Sequence, residues 1–266
     1  MKKIFALSLV LVMVFALCSF SASADAKEVL VLGTSADYAP FEFMYPDENG
    51  DLVYGGIDVA VAQYIADYTG KELKIENMGF DYLLVSLQKG DFDMVIAAIE
   101  ETEDRLKSAD FSDPYYTDYP PMILVLAKNK DQYTGMDSFA GKSVGAQTAT
   151  TKENIVREEL TGAELVSLQN VNDLVNQLVN DKIDAVVLDG AVALQFVAAN
   201  SDLSVAGVDL GEAYPYRVAV AKGDPKNLLP GINEAIADML KNDKVTEFSE
   251  FAESLEDVWQ EVSAEG

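Results

Sequence analysis

MVIAAIEETEDRLKSADFSDPYY, Met94 to Tyr116, is the stretch on which the reading of this chain turns. Its opening run, Met94-Val95-Ile96-Ala97-Ala98-Ile99, has the unbroken apolar character of a strand buried on both faces of a parallel sheet. The run passes directly into Glu100-Glu101-Thr102-Glu103-Asp104-Arg105, a polar turn with helix-start character. Open α/β sheets bind small ligands just beyond the carboxyl ends of their strands, which is where Arg105 falls. A guanidinium there can grip a carboxylate through two parallel hydrogen bonds, so a carboxylate-bearing small ligand is the first expectation. Taken alone, the stretch fits an ordinary solvated arginine among acids better. Pro114 lacks an amide donor and keeps Phe111 to Tyr116 from continuing as helix.

Upstream, Val29-Leu30-Val31-Leu32 reads as a strand ending at Gly33, and Phe41-Glu42-Phe43 as an alternating strand. Asp47-Glu48-Asn49-Gly50-Asp51 is the turn of a hairpin. Ile57, Val61, Ile65 and Tyr68 make one helical face with Gly70 as its stop. Leu73-Lys74-Ile75 is a strand, and Phe80 to Gln88 a helix closed by Gly90. Strand, helix, strand, helix, strand at this spacing predicts parallel pairing with right-handed crossovers.

Downstream of Pro120-Pro121 the pattern starts again. Strands are expected at Ile123 to Leu126, Gly141 to Val144, Leu165-Val166, Ala185 to Leu188 and Leu203 to Val208. Between them lie helices over Thr151 to Leu160, Val171 to Val179 and Ala191 to Ala199. Val218 to Ala221 is a further strand, followed by helices carrying Leu228, Ile232, Ile236 and Leu240, and then Phe248, Phe251, Leu255 and Trp259, the last read as core. The chain is thus an α/β protein with two units, and its terminal helices need a surface to pack on. A molecule of two lobes that the chain crosses twice supplies one.

Lys2-Lys3, an apolar segment from Ile4 to Phe20 and the small residues Ser21-Ala22-Ser23-Ala24 read as a secretory signal peptide, residues 1–24, cleaved after Ala24. The rival reading lipidates Cys18, but Leu17 before it is a poor match to the small residue expected there. Cys18 is the only cysteine, so the mature chain relies on its core rather than on disulfides. There are no histidines, which excludes Ser-His-Asp and Cys-His catalysis and removes the commonest zinc ligand. No D-x-[DN]-x-[DN]-G spacing supports a calcium site, and neither metal nor cofactor is expected. The net charge of −26 argues against nucleic acid and anionic membrane surfaces as partners.

From Val29 to Trp259 the chain resembles the extracellular solute-binding proteins of polar amino acid ABC transporters. The motifs that carry the resemblance are GTSADYAPFEF at Gly33 to Phe43, Gly56-Ile57-Asp58, Phe80 to Leu87, EDRLKSADFSDPYY at Glu103 to Tyr116, Gln147-Thr148-Ala149-Thr150-Thr151, Asp184 to Asp189 and Val218 to Gly223. The resemblance implies a two-lobed, periplasmic-binding-protein-like clamshell of type II, each lobe a mostly parallel sheet flanked by helices. Residues 25–116 and 217–266 would form lobe one and 117–216 lobe two, with hinge strands near 115–119 and 212–216. It further implies a monomer that encloses a free amino acid, polar or cationic, and delivers it to an ABC permease. On the family's pattern Arg105 takes the ligand's α-carboxylate, with Thr150 and Thr151 beside it at a helix start, and Asp189 takes the α-ammonium. Tyr38 and Phe80 would line the side-chain pocket, and Ser35, Ala98, Glu100 and Gln147 complete the expected ligand-binding set. Each has a plainer reading: Asp189, Thr150 or Thr151 as helix caps, and Tyr38 and Phe80 as core.

Two positions depart from the pattern. Glu100 stands where the family usually has Thr or Ser, and an ionised glutamate repels a carboxylate and attracts an ammonium. If it faces the ligand, it and Asp189 flank a cation; if it faces solvent, it avoids the cost of burial. Ser35 stands where members specific for basic amino acids often carry Asp, and Asp37 two residues on is placed elsewhere by alternation of the chain. These clues conflict and leave the ligand subclass open. A few members of the superfamily are dehydratases of cyclic carboxylic acids, for which Glu100 would be the general acid, its pKa raised by burial. A ligand-sensing receptor module built on the same clamshell is the other alternative.

Overall fold

The computed structural model describes residues 27–255. The expected leader, Cys18 and Trp259 lie outside them. β1 (Val29–Thr34) begins the first sheet. A hairpin follows, β2 (Phe43–Pro46) and β3 (Leu52–Gly55), its turn held by the Asp47 carboxylate accepting from the amides of Asn49 and Asp51 at 2.8 and 2.9 Å. The strand expected from Phe41 therefore starts at Phe43. α1 (Ile57–Tyr68) buries Ile57, Val61 and Ile65 as its spacing requires. β4 (Glu72–Asn77), α2 (Phe80–Lys89), β5 (Met94–Val95) and β6 (Ala109–Thr117) complete the first half, with Gly90 ending α2 at a φ of 84° that glycine adopts freely.

β5 is shorter than the six-residue apolar run suggested. Ala98 adopts φ 44° and sends its amide to Asp58 at 2.6 Å, so the chain turns out of the sheet while its side chains stay buried. Hydrophobicity located the burial correctly; a distant carboxylate set where the strand ends.

The second sheet uses β7 (Met122–Leu126), β8 (Ser143–Gln147), β9 (Glu164–Leu168), β10 (Ala185–Leu188) and β11 (Leu203–Val205), in the order β11-β7-β10-β8-β9. Its helices are α3 (Thr151–Asn154), α4 (Val171–Val179) and α5 (Gly190–Ala199). The helix expected over Thr151 to Leu160 is helical throughout its first nine residues but widens to a π turn at Ile155–Glu159, and the last strand stops at Val205 rather than Val208.

β12 (Pro215–Ala221) then returns to the first sheet, antiparallel to both its neighbours, to give the order β4-β1-β5-β12-β6. β1 pairs in parallel with β4 and β5, as the spacing predicts. Pro114 is tolerated because β6 is an edge strand and the register is irregular where Pro114 meets Arg217. α6 (Leu229–Lys241) and α7 (Lys244–Ser254) pack on α1, where Tyr64 donates to Asp238 at 2.6 Å and meets Phe248 edge to face. The first lobe is thereby built from both ends of the described chain. The two connections between the sheets follow β6 and precede β12, and the Tyr216 hydroxyl at the start of β12 donates to Asp118 of the first connection at 3.1 Å.

Candidate functional site

The carboxyl end of β5, the loop after β1, the start of α3 and the end of β10 converge between the two sheets. Arg105 comes from the turn that follows β5. Its Nη1 donates at 2.8 Å both to the carbonyl of Glu100 and to Glu100 Oε2, its Nη2 reaches the Ala149 carbonyl of the other lobe at 3.3 Å, and its guanidinium lies 5.2 Å from the centre of the Phe80 ring. Glu100 points inward and is 3% exposed. Its second oxygen, Oε1, accepts from the Thr151 hydroxyl at 2.8 Å and from Lys152 Nζ at 2.6 Å. The same ammonium sits 2.6 Å from Asp189 Oδ2, which also accepts from the Tyr38 hydroxyl at 2.7 Å.

Four buried charges therefore alternate in a chain: Arg105, Glu100, Lys152, Asp189. Isolated buried charges are costly, and only this mutual pairing makes such burial tolerable. Burial pushes Glu100 up, but Lys152 and Arg105 outweigh it and bring its pKa down to about 2. Burial likewise opposes the charge on Lys152, and Asp189 and Glu100 overcome that and hold it above its ordinary value. Burial raises Asp189, with Lys152 pulling against it and Glu100 adding to it.

A second acidic group lies next to this chain within the first lobe. Asp58 on α1 accepts from the Tyr115 hydroxyl at 2.7 Å and from the Ala98 amide. Burial raises Asp58 to about 6 and pushes Glu42 well above the carboxylate range, with Asp58 the next largest influence, so the proton stays on Glu42 and is shared with Asp58. Glu42 Oε2 is buried without a hydrogen-bond partner, and Glu42 is one of the residues that line the small space at the centre of the site.

That central space, lined by Ser35, Tyr38, Glu42, Phe80, Ala98 and Lys152 among others, has a volume of about 10 Å³, room for about one water. Beside it opens a larger cavity of about 490 Å³, walled by Glu101, Glu103, Thr151, Lys152, Glu212 and Tyr214.

The structure brings together most of the residues singled out from the sequence. Arg105 meets Glu100 and Phe80, Thr151 meets Glu100 and Tyr38 meets Asp189, while Ser35, Ala98, Gln147 and Thr150 line the central space with Tyr38, Phe80, Glu100 and Asp189. Thr150 is the N-cap of α3: its hydroxyl accepts from the Glu153 amide and donates to the Gln147 carbonyl. Asp189 stands at the N-cap of α5 yet makes no side-chain cap bond there; Asp118 receives the Ala191 amide instead, and Asp189 is left for Lys152 and Tyr38. Asp37 accepts from the Val171 amide across the cleft at 2.9 Å, outside the central space. The expectation that burial raises the pKa of Glu100 is overturned, because two cations outweigh the desolvation.

Sequence reasoning missed Lys152, Glu42 and Asp58 as members of the site. Lys152 did leave a trace, since a lysine in the first turn of a helix opposes the helix dipole unless acids hold it there.

Known proteins place this geometry in context. The model of the bacterial extracellular solute-binding proteins, family 3, matches residues 30–251. The chain is 30% identical over 226 residues to the arginine-binding extracellular protein ArtP of Bacillus subtilis, covering 84% of this chain and 86% of that one. It is 32% identical over 220 residues to a probable histidine-binding protein of Campylobacter jejuni, covering 81% and 82%. Its fold superposes with a TM-score of 0.81, at 31% identity and over 86% of this chain and 95% of the other, on the amino acid ABC transporter substrate-binding protein AbpA of Streptococcus pneumoniae bound to L-arginine.

Proposed function

The chain belongs to the bacterial extracellular solute-binding proteins of family 3, and on that premise we propose that it captures a free amino acid, polar or cationic, between its lobes and presents it to an ABC permease. The observation that carries the reading is the convergence of Arg105 and Phe80 from one lobe with Thr151 and Asp189 from the other. A guanidinium and a hydroxyl suit an α-carboxylate, a carboxylate suits an α-ammonium, and an aromatic wall suits the side chain between them.

Lobe one comprises residues 25–116 and 217–266 and lobe two residues 117–216, with the hinges near 115–119 and 212–216. The Asp118–Tyr216 bond ties the two hinge segments, so that closure moves them together. A closed form that binds the amino acid better than the open form does is all that coupling to a permease requires. The protein works as a monomer, exported by its leader and cleaved after Ala24, with lipidation at Cys18 the alternative. Among the described residues no helix is long and apolar enough to cross a membrane.

The reading is non-catalytic. The dehydratase alternative needs a proton on Glu100, and Lys152 and Arg105 keep that carboxylate ionised at neutral pH.

Thermal-shift titration of the mature chain, Asp25 to Gly266, against the standard amino acids tests the proposal. Ligand linkage gives about 2.7 kcal/mol of added stability at one hundred times the dissociation constant. A shift with at least one amino acid, lost in Arg105→Ala, is the expected result. No shift at millimolar concentration, either in the wild type or in a variant freed of the Lys152 contact, would sink it.

A further inference from the structure

The Arg105–Glu100–Lys152–Asp189 chain has the charge order of an amino acid bound in this cleft, but the two central charges belong to the protein. The Glu100 carboxylate receives Arg105 and the Thr151 hydroxyl, the donors suited to an α-carboxylate. The Lys152 ammonium rests on Asp189, the acceptor suited to an α-ammonium. The space that remains between Tyr38, Phe80 and Lys152 has room for about one water, and the neighbouring cavity of about 490 Å³ reaches Glu100, Lys152 and Asp189 but not Arg105, Tyr38 or Phe80.

The way these contacts divide between the lobes adds a second argument. Glu100 and Arg105 belong to the turn after β5, and Lys152 and Asp189 to α3 and the end of β10. Opening the cleft breaks Glu100–Lys152, Glu100–Thr151 and Arg105–Ala149 together with Tyr38–Asp189, Val171–Asp37 and Gln169–Asp81, but leaves Arg105 paired with Glu100 and Lys152 paired with Asp189. An amino acid arriving at the open form meets two neutralised pairs rather than a free guanidinium and a free carboxylate.

We infer that the Glu100 carboxylate and the Lys152 ammonium are a built-in surrogate for a bound amino acid, closing the cleft by themselves and admitting a free amino acid only by displacement. The inference rests on the amino acid reading of the cleft. It makes Lys152 and Glu100 the residues that set which ligand enters. The surrogate is part of the folded chain, so it competes at the high effective concentration of any tethered ligand. A successful ligand must offer more contacts than an α-carboxylate and an α-ammonium alone.

The experiment compares the mature wild type with the Glu100→Thr/Lys152→Ala double variant by small-angle X-ray scattering and calorimetry, in buffer and with millimolar L-arginine. The expected wild type is compact in buffer and changes little with L-arginine. The expected variant is expanded in buffer, contracts with L-arginine, and binds it at least about tenfold more tightly than the wild type does. A wild type that is expanded in buffer overturns the inference, and this holds even if the variant fails to fold. A variant that stays compact in buffer, or that binds no more tightly than a wild type that also binds, overturns it as well. A variant that opens but binds none of the standard amino acids defeats the amino acid reading and leaves the self-closing ion pair standing.

Discussion

Ala98 and Glu100, two residues apart, each touch a buried acidic group, and the two groups handle their charge in opposite ways. The first, Glu42 with Asp58 and Tyr115, lies wholly within one lobe and has no cation beside it. It keeps a proton on Glu42 and shares it with Asp58. The second, Glu100 with Asp189, spans the cleft with Arg105 and Lys152 alternating beside it, which hold Glu100 ionised and, through Lys152, pull against the burial that raises Asp189. A group inside one lobe must be satisfied once and for all. A group across a moving cleft must be satisfied both closed and open, and two lobe-internal ion pairs achieve that where a shared proton would not.

The contrast is tested most severely at Asp58. Asp58→Ala leaves the Tyr115 hydroxyl, the Ala98 amide and Glu42 without their partner in a place that no hinge motion hydrates. Urea unfolding should show a loss of about 3–5 kcal/mol, the range for breaking a buried charged network. A loss below about 1 kcal/mol would mean that the group is not a closed unit.

pH separates the groups next. Asp58 titrates at about 6 folded against 3.8 ordinarily, so its ionisation costs stability: the cost is absent below 3.8, grows through the interval and is complete above 6. Glu100 runs the other way, its contribution present above 4.5 and lost as pH falls towards 2. From these two groups stability should peak near pH 4, on the order of 1–2 kcal/mol above its value at neutral pH, and Asp37 and Asp118, also raised to about 6, deepen the fall towards neutrality. A profile that rises steadily from pH 5 to 8 would contradict the shared proton.

Lys152→Ala should cost less than Asp58→Ala, about 1–3 kcal/mol, because opening the cleft hydrates the Asp189 carboxylate that loses its ammonium, while Glu100 keeps Arg105. Scattering should show the expansion that accompanies this relief; an equal or larger loss with no expansion would make the cleft rigid. The smallest effect is expected for Glu42→Gln, which keeps a donor towards Asp58 but cannot titrate. It should be close to neutral near pH 4, stabilising at pH 7, and should flatten the slope between them.

Much of this was legible in the sequence. Periodicity located the helices and most of the strands, though not β6 or the order within the sheets, and the rule that ligands sit at strand ends led from Met94–Val95 to Arg105. What escaped was set by partners far along the chain. Nothing near Ala98 announces a φ of 44°; the amide turns towards Asp58, forty residues earlier. Lys152 reads as one more charge in Thr-Thr-Lys-Glu until its contact with Glu100, 52 residues away, is known. Thr150 and Thr151 look alike in sequence, and only the position of the cap assigns one hydroxyl to the helix and the other to Glu100.

The return of β12 to a place between β5 and β6 also sets an order of assembly. The second sheet uses one uninterrupted segment, from Met122 to Val205, and can form as soon as that segment is available. The first sheet lacks an interior strand until Pro215 to Ala221 arrives, so β6 has no neighbour to pair with before then. Such long-range closure is slow, because the loop entropy is lost before the contacts form. The half of the molecule that starts first is the half that finishes last, and until it does, the turn that carries Glu100 and Arg105 has only part of its sheet behind it.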